Sequence, residues 1–425
     1  MKSILTILSL FAFITAFTQQ YEKCMTYQLM QYQESETPGY MQSVNEAFLR
    51  AKESNTVQDR ATVYTIPVVV HIVYENPDEN LADSVIFNQI NRLNEDFRRI
   101  NADTVNMRTD FETIVGDSFI QFELATVDPD GNPTNGITRT STSVSSFLGI
   151  GGFPAEGVKS TADGGIDPWN QLDYLNIWVC DMSFFGTPGL LGYATPPNNL
   201  PHWPAGSADN MSDGVVVQYQ AFGANNPNAL DLGGGPIDVQ GRTLVHEVGH
   251  YLGLRHIWGD GDCTAQDGID DTPNAADQSN QDCNQVINSC TDTIGVLGDL
   301  PDMVENYMDY SEETCQNSFT DGQIDMMRSI IEVYRWELVN GTPAGLSQKE
   351  AFTLHVFPNP ATDLVTITGI PSGHNNLQVY SETGQLIMEI ANPQTKVELR
   401  DLEKGIYIVR VTSEVGIVNR RVVIL

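Results

Sequence analysis

The chain's 425 residues exceed what one hydrophobic core usually supports, and a 41% hydrophobic, 18% charged composition is that of a folded protein, so a main domain plus a smaller one is expected. Lysine and arginine number 22 against 55 acidic residues, a net charge of −33 that repels nucleic acid and anionic membrane surfaces and argues against both as partners. The surplus carboxylates suit an extracellular protein that meets calcium, although most are expected simply to be solvated.

In chain order, an early Lys2 and an apolar run from Ile4 to Phe17, too short to span a bilayer, read as an export signal over 1–18. No later run reaches transmembrane length, so the mature chain is expected to be secreted or on the cell surface, by way of the periplasm. Residues 19–60 are polar, with weak helical periodicity around Val44 to Leu49, and read as a propeptide or flexible arm. The nearly continuous β-branched run from Ile66 to Tyr74 predicts a strand buried on both faces and opens the main domain, 61–342. From Asp83, the residues Ile86, Ile90, Leu93, Phe97 and Ile100 recur at helical spacing and predict a helix lying on the sheet. Strands are expected at Phe119 to Val127, Tyr174 to Cys180 and Gly214 to Tyr219, giving an α/β-type order with a mixed sheet. Thr320-Asp-Gly-Gln323 is a capping box opening a helix whose Ile324, Met327, Ile331, Tyr334 and Leu338 share a face. Over 343–425, short strands such as Leu364 to Thr368, Leu377 to Tyr380 and Gly405 to Val411 alternate with Gly, Pro and Asn turns and predict a small all-β sandwich.

Three of the chain's seven histidines fall in His246-Glu-Val-Gly-His250-Tyr-Leu-Gly-Leu-Arg-His256. Positions four apart share a helix face, so His246 and His250 can turn two imidazoles to one metal, with Glu247 beside them and Val245, Val248 and Leu252 toward the core. Gly253 can adopt positive φ and end the helix, swinging His256 back as third ligand. Three protein ligands leave one position of a tetrahedral zinc for water, whose pKa falls to roughly 7 in such sites, with Glu247 as general base. The bland alternative, a buried helix with satisfied histidines, would leave three imidazoles and a carboxylate at high desolvation cost. His71 lies in an apolar strand and reads as a core residue, while His202, His355 and His374 receive no role.

Asn306-Tyr-Met308-Asp-Tyr310-Ser matches the second element of metzincins, in which a methionine underlies the zinc. With Gln89-Ile-Asn-Arg-Leu-Asn-Glu-Asp-Phe97, Tyr174-Leu-Asn-Ile-Trp-Val179, Leu191-Gly-Tyr-Ala194 and Asp213-Gly-Val-Val216, the sequence resembles the pappalysin family of metzincins over about residues 60 to 340. The resemblance implies a two-lobed zinc protease fold of α/β (α+β) type with a twisted mixed sheet. It also implies that Met308 lies beneath the zinc and that Tyr310 lines the site and stabilises the tetrahedral intermediate. The segment Cys263 to Pro273 is similar to a calcium-binding segment of the family, which implies Asp267 and Thr272 as ligands with Asp270, Asp271 and Asp277 as helpers; the alternative is an acidic surface loop.

Four cysteines, Cys263, Cys283, Cys290 and Cys315, crowd one loop-rich region and allow three pairings; the resemblance implies Cys263 to Cys290 and Cys283 to Cys315. Some relatives cleave beside arginine or lysine through an acidic residue near the last cysteine. Here Glu312-Glu-Thr314 departs from their aspartates, leaving a basic-residue preference open against a solvated pair of glutamates.

Cys24, in the expected propeptide, has two readings. As a thiolate it can be a fourth zinc ligand that holds a zymogen latent until a cut between about residues 50 and 62, near Arg60; alternatively it forms a disulfide with Cys180. Val356-Phe-Pro-Asn-Pro360-Ala-Thr-Asp363, Gly384-Gln-Leu386 and Lys404-Gly-Ile-Tyr407 resemble the sorting domain of the type IX secretion system of Bacteroidetes, against an adhesion or sugar-binding sandwich. The expectation is a secreted zinc metalloendopeptidase with zinc and calcium as cofactors, protein or peptide substrates, and the type IX machinery as partner. A zinc-stabilised adhesin would need neither Glu247 nor an open fourth position, and a glycan-binding module would need exposed aromatics on the sandwich.

Overall fold

The computed structural model describes residues 21–54, 61–149, 156–200, 212–292, 294–295, 297–340, 354–362, 364–373, 375–381, 386–400, 402–413 and 416–424. The expected export signal, Arg60, His202, His374 and the boundary expected at 342/343 lie outside these residues.

The main sheet has the order β1-β8-β9-β5-β2-β3, with β4 also on β2. Its strands are β1 (Glu22–Cys24), β2 (Tyr64–Tyr74), β3 (Ile120–Leu124), β4 (Ile137–Ser141), β5 (Leu175–Cys180), β8 (Leu190–Ala194) and β9 (Val215–Gln218); β6 (Ser183–Phe184) and β7 (Thr187–Pro188) form a separate small hairpin. All main-sheet pairings are parallel except β8 with β9. β3 and β4 follow one another along the same edge of β2, against Tyr64 to Val68 and Val70 to Tyr74. Alternate residues face opposite layers: Ile177, Val179, Val215 and Val217 join the core beneath the helices, while Trp178, Cys180 and Val216 join Phe147, Val158 and Met182 on the other side. That double cover is why β2 reads as an unbroken apolar run.

Helix α3 (Asp83–Phe97) buries Ile86, Ile90, Leu93 and Phe97 as its spacing predicts. Ile100 does not join them: the helix stops at Phe97, Arg99 takes a φ of 49°, and Ile100 is 70% exposed. The zinc-motif helix α4 (Arg242–Tyr251) is buried along its whole length and packs on β8, β9 and α3. In α5 (Asp321–Tyr334), Thr320 accepts from Gln323 N and the reciprocal bond completes the capping box. The expected single helix is broken at Arg335, and Leu338 reaches the core from a short α6 (Trp336–Asn340).

The reading of residues 19–60 as a flexible arm is corrected for the part described. After β1 come α1 (Thr26–Glu36) and α2 (Tyr40–Ser54), and α2 buries Tyr40, Val44, Ala47, Phe48 and Ala51 against α5. The ridge was masked by Gln, Ser, Asn and Glu between its members, and α1 has almost no apolar face of its own.

The C-terminal strands form a three-stranded antiparallel sheet, β10 (His355–Phe357), β11 (Leu364–Thr368) and β14 (Lys396–Glu398). A four-stranded antiparallel sheet holds β12 (Asn375–Ser381), β13 (Leu386–Ala391), β15 (Gly405–Ser413) and β16 (Gly416–Ile424). Val365, Ile367 and Val397 of one sheet share a core with Leu377, Val379, Val409 and Val411 of the other, which makes the expected sandwich.

Candidate metal centre

Helix α4 has no side-chain cap of its own, and its first residues are held from a distance. The Glu313 carboxylate accepts from Gln240 N and Thr243 N, each at 2.6 Å, satisfying orphan donors at the positive end of the helix. This is where the structure puts one of the two glutamates considered for substrate preference; Glu312 is exposed and accepts from Thr314. At the other end, Gly253 takes a φ of 91°, Leu254 N donates to Gly249 O, and Arg335 Nε donates to Tyr251 O at 2.9 Å. A Cβ on Gly253 would also lie 2.7 Å from Ile330 Cγ1.

That turn brings the third imidazole back. His250 Nε2 is 3.2 Å from His246 Nε2 and 3.0 Å from His256 Nε2. Each Nδ1 faces an acceptor: Tyr307 O at 2.7 Å for His246, Leu254 O at 2.9 Å for His250 and Asp260 Oδ1 at 2.6 Å for His256. With Nδ1–H donating outward, three unprotonated Nε2 atoms point at one another, an arrangement that hydrogen bonds cannot satisfy and one tetrahedral cation can. Burial drives His250 down to about 3, helped by His256, and drives His246 well below its ordinary value, so both stay neutral as ligands must. Trp258 stacks flat on His256, centroids 4.3 Å apart. The residues fit a zinc ion.

Met308 is fully buried and lies against Gly249 of the motif helix: a Cβ there would come 2.4 Å from its sulfur. Asn306 Oδ1 accepts from Met308 N and its amide is paired with Gln323, tying this turn to the capping box of α5. The Tyr310 ring is 5.6 Å from that of His246 and 5.0 Å from that of His256.

Glu247 is fully buried, and burial pushes its carboxyl up to about 8. Its Oε2 accepts from Cys24 Sγ at 3.3 Å and Thr26 Oγ1 at 3.2 Å, while Oε1 has no hydrogen-bond partner among the described residues. Cys24 and the three histidines offer four ligand atoms all within 4.8 Å of one another. Cys24 forms no disulfide, nor does Cys180, which is buried in β5; the alternative pairing of the two is corrected. Burial and the neighbouring Glu247 push the Cys24 thiol well above its usual range, a situation a divalent cation inverts. Residues 22–26 line the edge of β8: Glu22 N donates to Gly189 O, Met25 N to Gly192 O and Ala194 N to Thr26 Oγ1. Tyr310 OH donates to Cys24 O at 2.9 Å, and the buried Lys23 donates to Asp309 O at 3.2 Å and Ser311 O at 3.0 Å.

Disulfides join Cys263 to Cys290 and Cys283 to Cys315. Within the bridged region Asp267 and Thr272 are buried, and Asp267 Oδ2 and Thr272 Oγ1 lack hydrogen-bond partners among the described residues. Burial pushes the Asp267 carboxyl up to about 8. Two buried oxygens without hydrogen-bond partners, five residues apart in one loop, fit a hard cation such as calcium. The expected helpers are engaged elsewhere or exposed: Asp270 pairs with Lys52, Asp271 accepts from Thr320 Oγ1 and Gly322 N, and Asp277 is exposed. His71 is a buried strand residue away from the histidine cluster, and His355 sits in the sandwich.

Sequence reasoning missed Thr26, Asp260, Gly192 and Gly249. Asp260 had a usable signal, a carboxylate four residues past a ligand histidine. Gly192 had only its place in Leu191-Gly-Tyr-Ala194, with nothing to tie it to the motif helix: a Cβ there would lie 2.8 Å from Glu247 Cγ and Oε1, a contact made 55 residues later in the chain.

Comparison with known proteins agrees with this geometry. Residues 163–332 match the Peptidase M43 family model, described as pregnancy-associated plasma protein-A, and residues 355–425 match the secretion system C-terminal sorting domain. An extracellular metalloprotease of Arthroderma benhamiae is 34% identical over 178 residues, 41% of this chain and 53% of that protein. The chain thus spans about half the length of the curated relatives it matches first. A promirolysin mutant of Tannerella forsythia superposes with a TM-score of 0.63 at 38% identity, covering 75% of this chain and 97% of that one. Mature mirolysin of the same organism in complex with a cleaved peptide superposes with a TM-score of 0.55 at 40% identity, over 66% of this chain and 96% of that one. With the zinc-motif geometry, the mixed sheet and these likenesses in agreement, this secreted or cell-surface chain belongs to the pappalysin family of metalloproteases and ends in a secretion-system sorting domain.

Proposed function

We propose that the chain is a zinc-dependent endopeptidase made as a latent precursor and exported by the type IX machinery through its C-terminal sandwich. The observation that carries this reading is the convergence of three Nε2 atoms, each with its Nδ1 committed to an acceptor, beside the buried carboxylate of Glu247. His246, His250 and His256 would hold zinc, which when bound supplies Lewis acidity to the scissile carbonyl and to a water. Glu247 takes the proton of the attacking water and returns it to the leaving nitrogen. The Tyr310 hydroxyl, which donates to a backbone carbonyl in this cleft, donates to the substrate oxygen as negative charge develops on it.

Cys24 and Thr26 hydrogen-bond Glu247, the Cys24 carbonyl takes the Tyr310 hydroxyl, and the Cys24 sulfur lies within 4.8 Å of the three histidine nitrogens, which supports reading 19–60 as a propeptide and Cys24 as the latch at the fourth ligand position. Lys23 supports a subsite for a basic side chain: burial pulls its pKa below the ordinary lysine value, yet its amine donates to two carbonyls, and Glu313 and Asp309 oppose the loss of its charge. Asp267 and Thr272 would hold calcium. The experiment is cleavage of a proteome-derived peptide library by the mature protein with and without a zinc chelator, alongside Glu247→Ala. Chelator-sensitive cleavage beside lysine or arginine, lost in a Glu247→Ala form that retains zinc, is expected. Chelator-resistant cleavage, or full turnover by that variant, sinks the mechanism.

A further inference from the structure

Helix α2 turns Asn45, Phe48 and Lys52, at spacings of three and four, toward a single feature of the metalloprotease unit. Lys52 Nζ donates to Gly268 O at 2.8 Å and pairs with Asp270 Oδ1 at 2.7 Å. The Phe48 ring covers Gly268 so closely that a Cβ there would lie 2.8 Å from it. The Arg255 guanidinium sits 4.0 Å over the Phe48 ring and donates to Asn45 Oδ1 at 3.0 Å. These contacts converge on the loop from Asp267 to Thr272, the one with two orphaned buried oxygens. The loop's far side is fastened to the start of α5, where Asp271 accepts from Thr320 Oγ1 and Gly322 N. None of them involves Cys24.

We propose that this face of α2 and the Asp267–Thr272 loop form a recognition surface of their own, in which a divalent cation in the loop and the docked N-terminal segment strengthen each other's binding. The proposal rests on the cation reading of Asp267 and Thr272. The loop conformation that offers the Gly268 carbonyl to Lys52 is the one that gathers Asp267 and Thr272. Without a cation, a buried carboxylate with an orphaned oxygen favours opening of the loop, and opening withdraws Gly268 and Asp270 from Lys52. The cation favours the closed loop from within and α2 favours it from outside, so the two are coupled with positive sign, and reciprocally. Lys52 does not oppose the cation strongly, because Asp270 is paired with it. After the segment leaves, the same loop holds its cation less tightly.

The test uses the full precursor in a Glu247→Ala background, so that it cannot cut itself. Calcium affinity is measured by titration calorimetry for this parent, for added Lys52→Met, and for added Phe48→Ala with Lys52→Met. Zinc content serves as the check on folding. Calcium binding about five- to twentyfold weaker in the double variant, intermediate in Lys52→Met, is expected from the usual range of coupling between sites. Saturating calcium should also slow amide hydrogen exchange over residues 40–54 in the parent. If the double variant loses zinc, Lys52→Met alone decides, since that side chain is 40% exposed and its loss leaves no hole. Equal calcium affinity in parent and variant overturns the coupling; no calcium uptake by the parent overturns the cation reading beneath it.

Discussion

The Cys24 sulfur lies 3.3 Å from Glu247 Oε2, within reach of the three histidine nitrogens. The residue that would block the fourth ligand position therefore also occupies the carboxylate proposed as general base, and its carbonyl takes the Tyr310 hydroxyl. Replacing Cys24 by Ala in the precursor removes the sulfur but leaves the β1–β8 pairing and Lys23 in place, so latency should be weakened rather than abolished. With the Glu247 carboxyl pushed up to about 8, the lost hydrogen bond is largely to a neutral group and contributes about 0.5–1.5 kcal/mol, which corresponds to roughly 2–10-fold more activity before cleavage, and to faster maturation. Hydrolysis of a fluorogenic peptide by uncut precursor measures it. A variant as silent as the parent would show that the strand pairing alone enforces latency.

Tyr310→Phe should lower kcat by about 10²-fold with little change in KM, as for loss of one donor to a developing oxyanion. The ring stays packed against His246, His256 and Trp258, so zinc content should not change. Steady-state kinetics on a defined peptide separate the two constants. A rise in KM at constant kcat would move Tyr310 from transition-state contact to substrate binding.

What the sequence made legible was local. Two histidines four apart, a glycine one turn on and a third histidine encode most of the metal site within eleven residues, and Thr320 with Gln323 encode a helix start. What it hid was long-range. The Nδ1 partners of His246 and His250 are backbone carbonyls, which every residue has. Glu313 caps α4 from 70 residues away, and nothing in Glu-Glu distinguishes the capping glutamate from its exposed neighbour. The helix α2 was missed for a related reason: its ridge gains stability against distant elements, chiefly α5, about 280 residues later, and an isolated helix of that polarity is marginal.

Gly192→Ala should impair catalysis without loss of metal. The added methyl would lie 2.8 Å from Glu247 Cγ and Oε1, and Glu247 is fully buried, so the carboxylate must shift from its position beside the histidines. Overpacking of this kind costs about 1–3 kcal/mol, and a displacement near 1 Å of a reacting group costs on the order of 10²-fold in rate. Zinc content by mass spectrometry should equal that of the parent, while kcat of the mature enzyme falls. An unchanged kcat would mean that Glu247 does not need the space this glycine leaves.

His71 supplies a pH dependence separate from the metal site. It is fully buried in β2, with Nδ1 at 2.7 Å from Thr138 Oγ1 and Nε2 at 3.0 Å from Asn176 Oδ1, and the Trp178 ring lies 5.3 Å away. Burial lowers its pKa from 6.5 to about 4, partly offset by Asn176. Between those values the unfolded chain binds a proton that the folded chain does not, so stability is fully present above pH 6.5 and is lost as pH falls toward 4. The full loss is on the order of 3 kcal/mol, and ~2 kcal/mol of it should appear by pH 5. Denaturant unfolding of the Glu247→Ala precursor at pH 7 and pH 5 measures the slope, and His71→Gln, which cannot take up a proton there, should flatten it by that amount. The variant's lower stability at neutral pH is immaterial, because only the difference between the two pH values is compared. Parallel pH dependences in parent and variant would mean that the imidazole accepts its proton inside the fold, with Asn176 Oδ1 and Thr138 Oγ1 accommodating the charge.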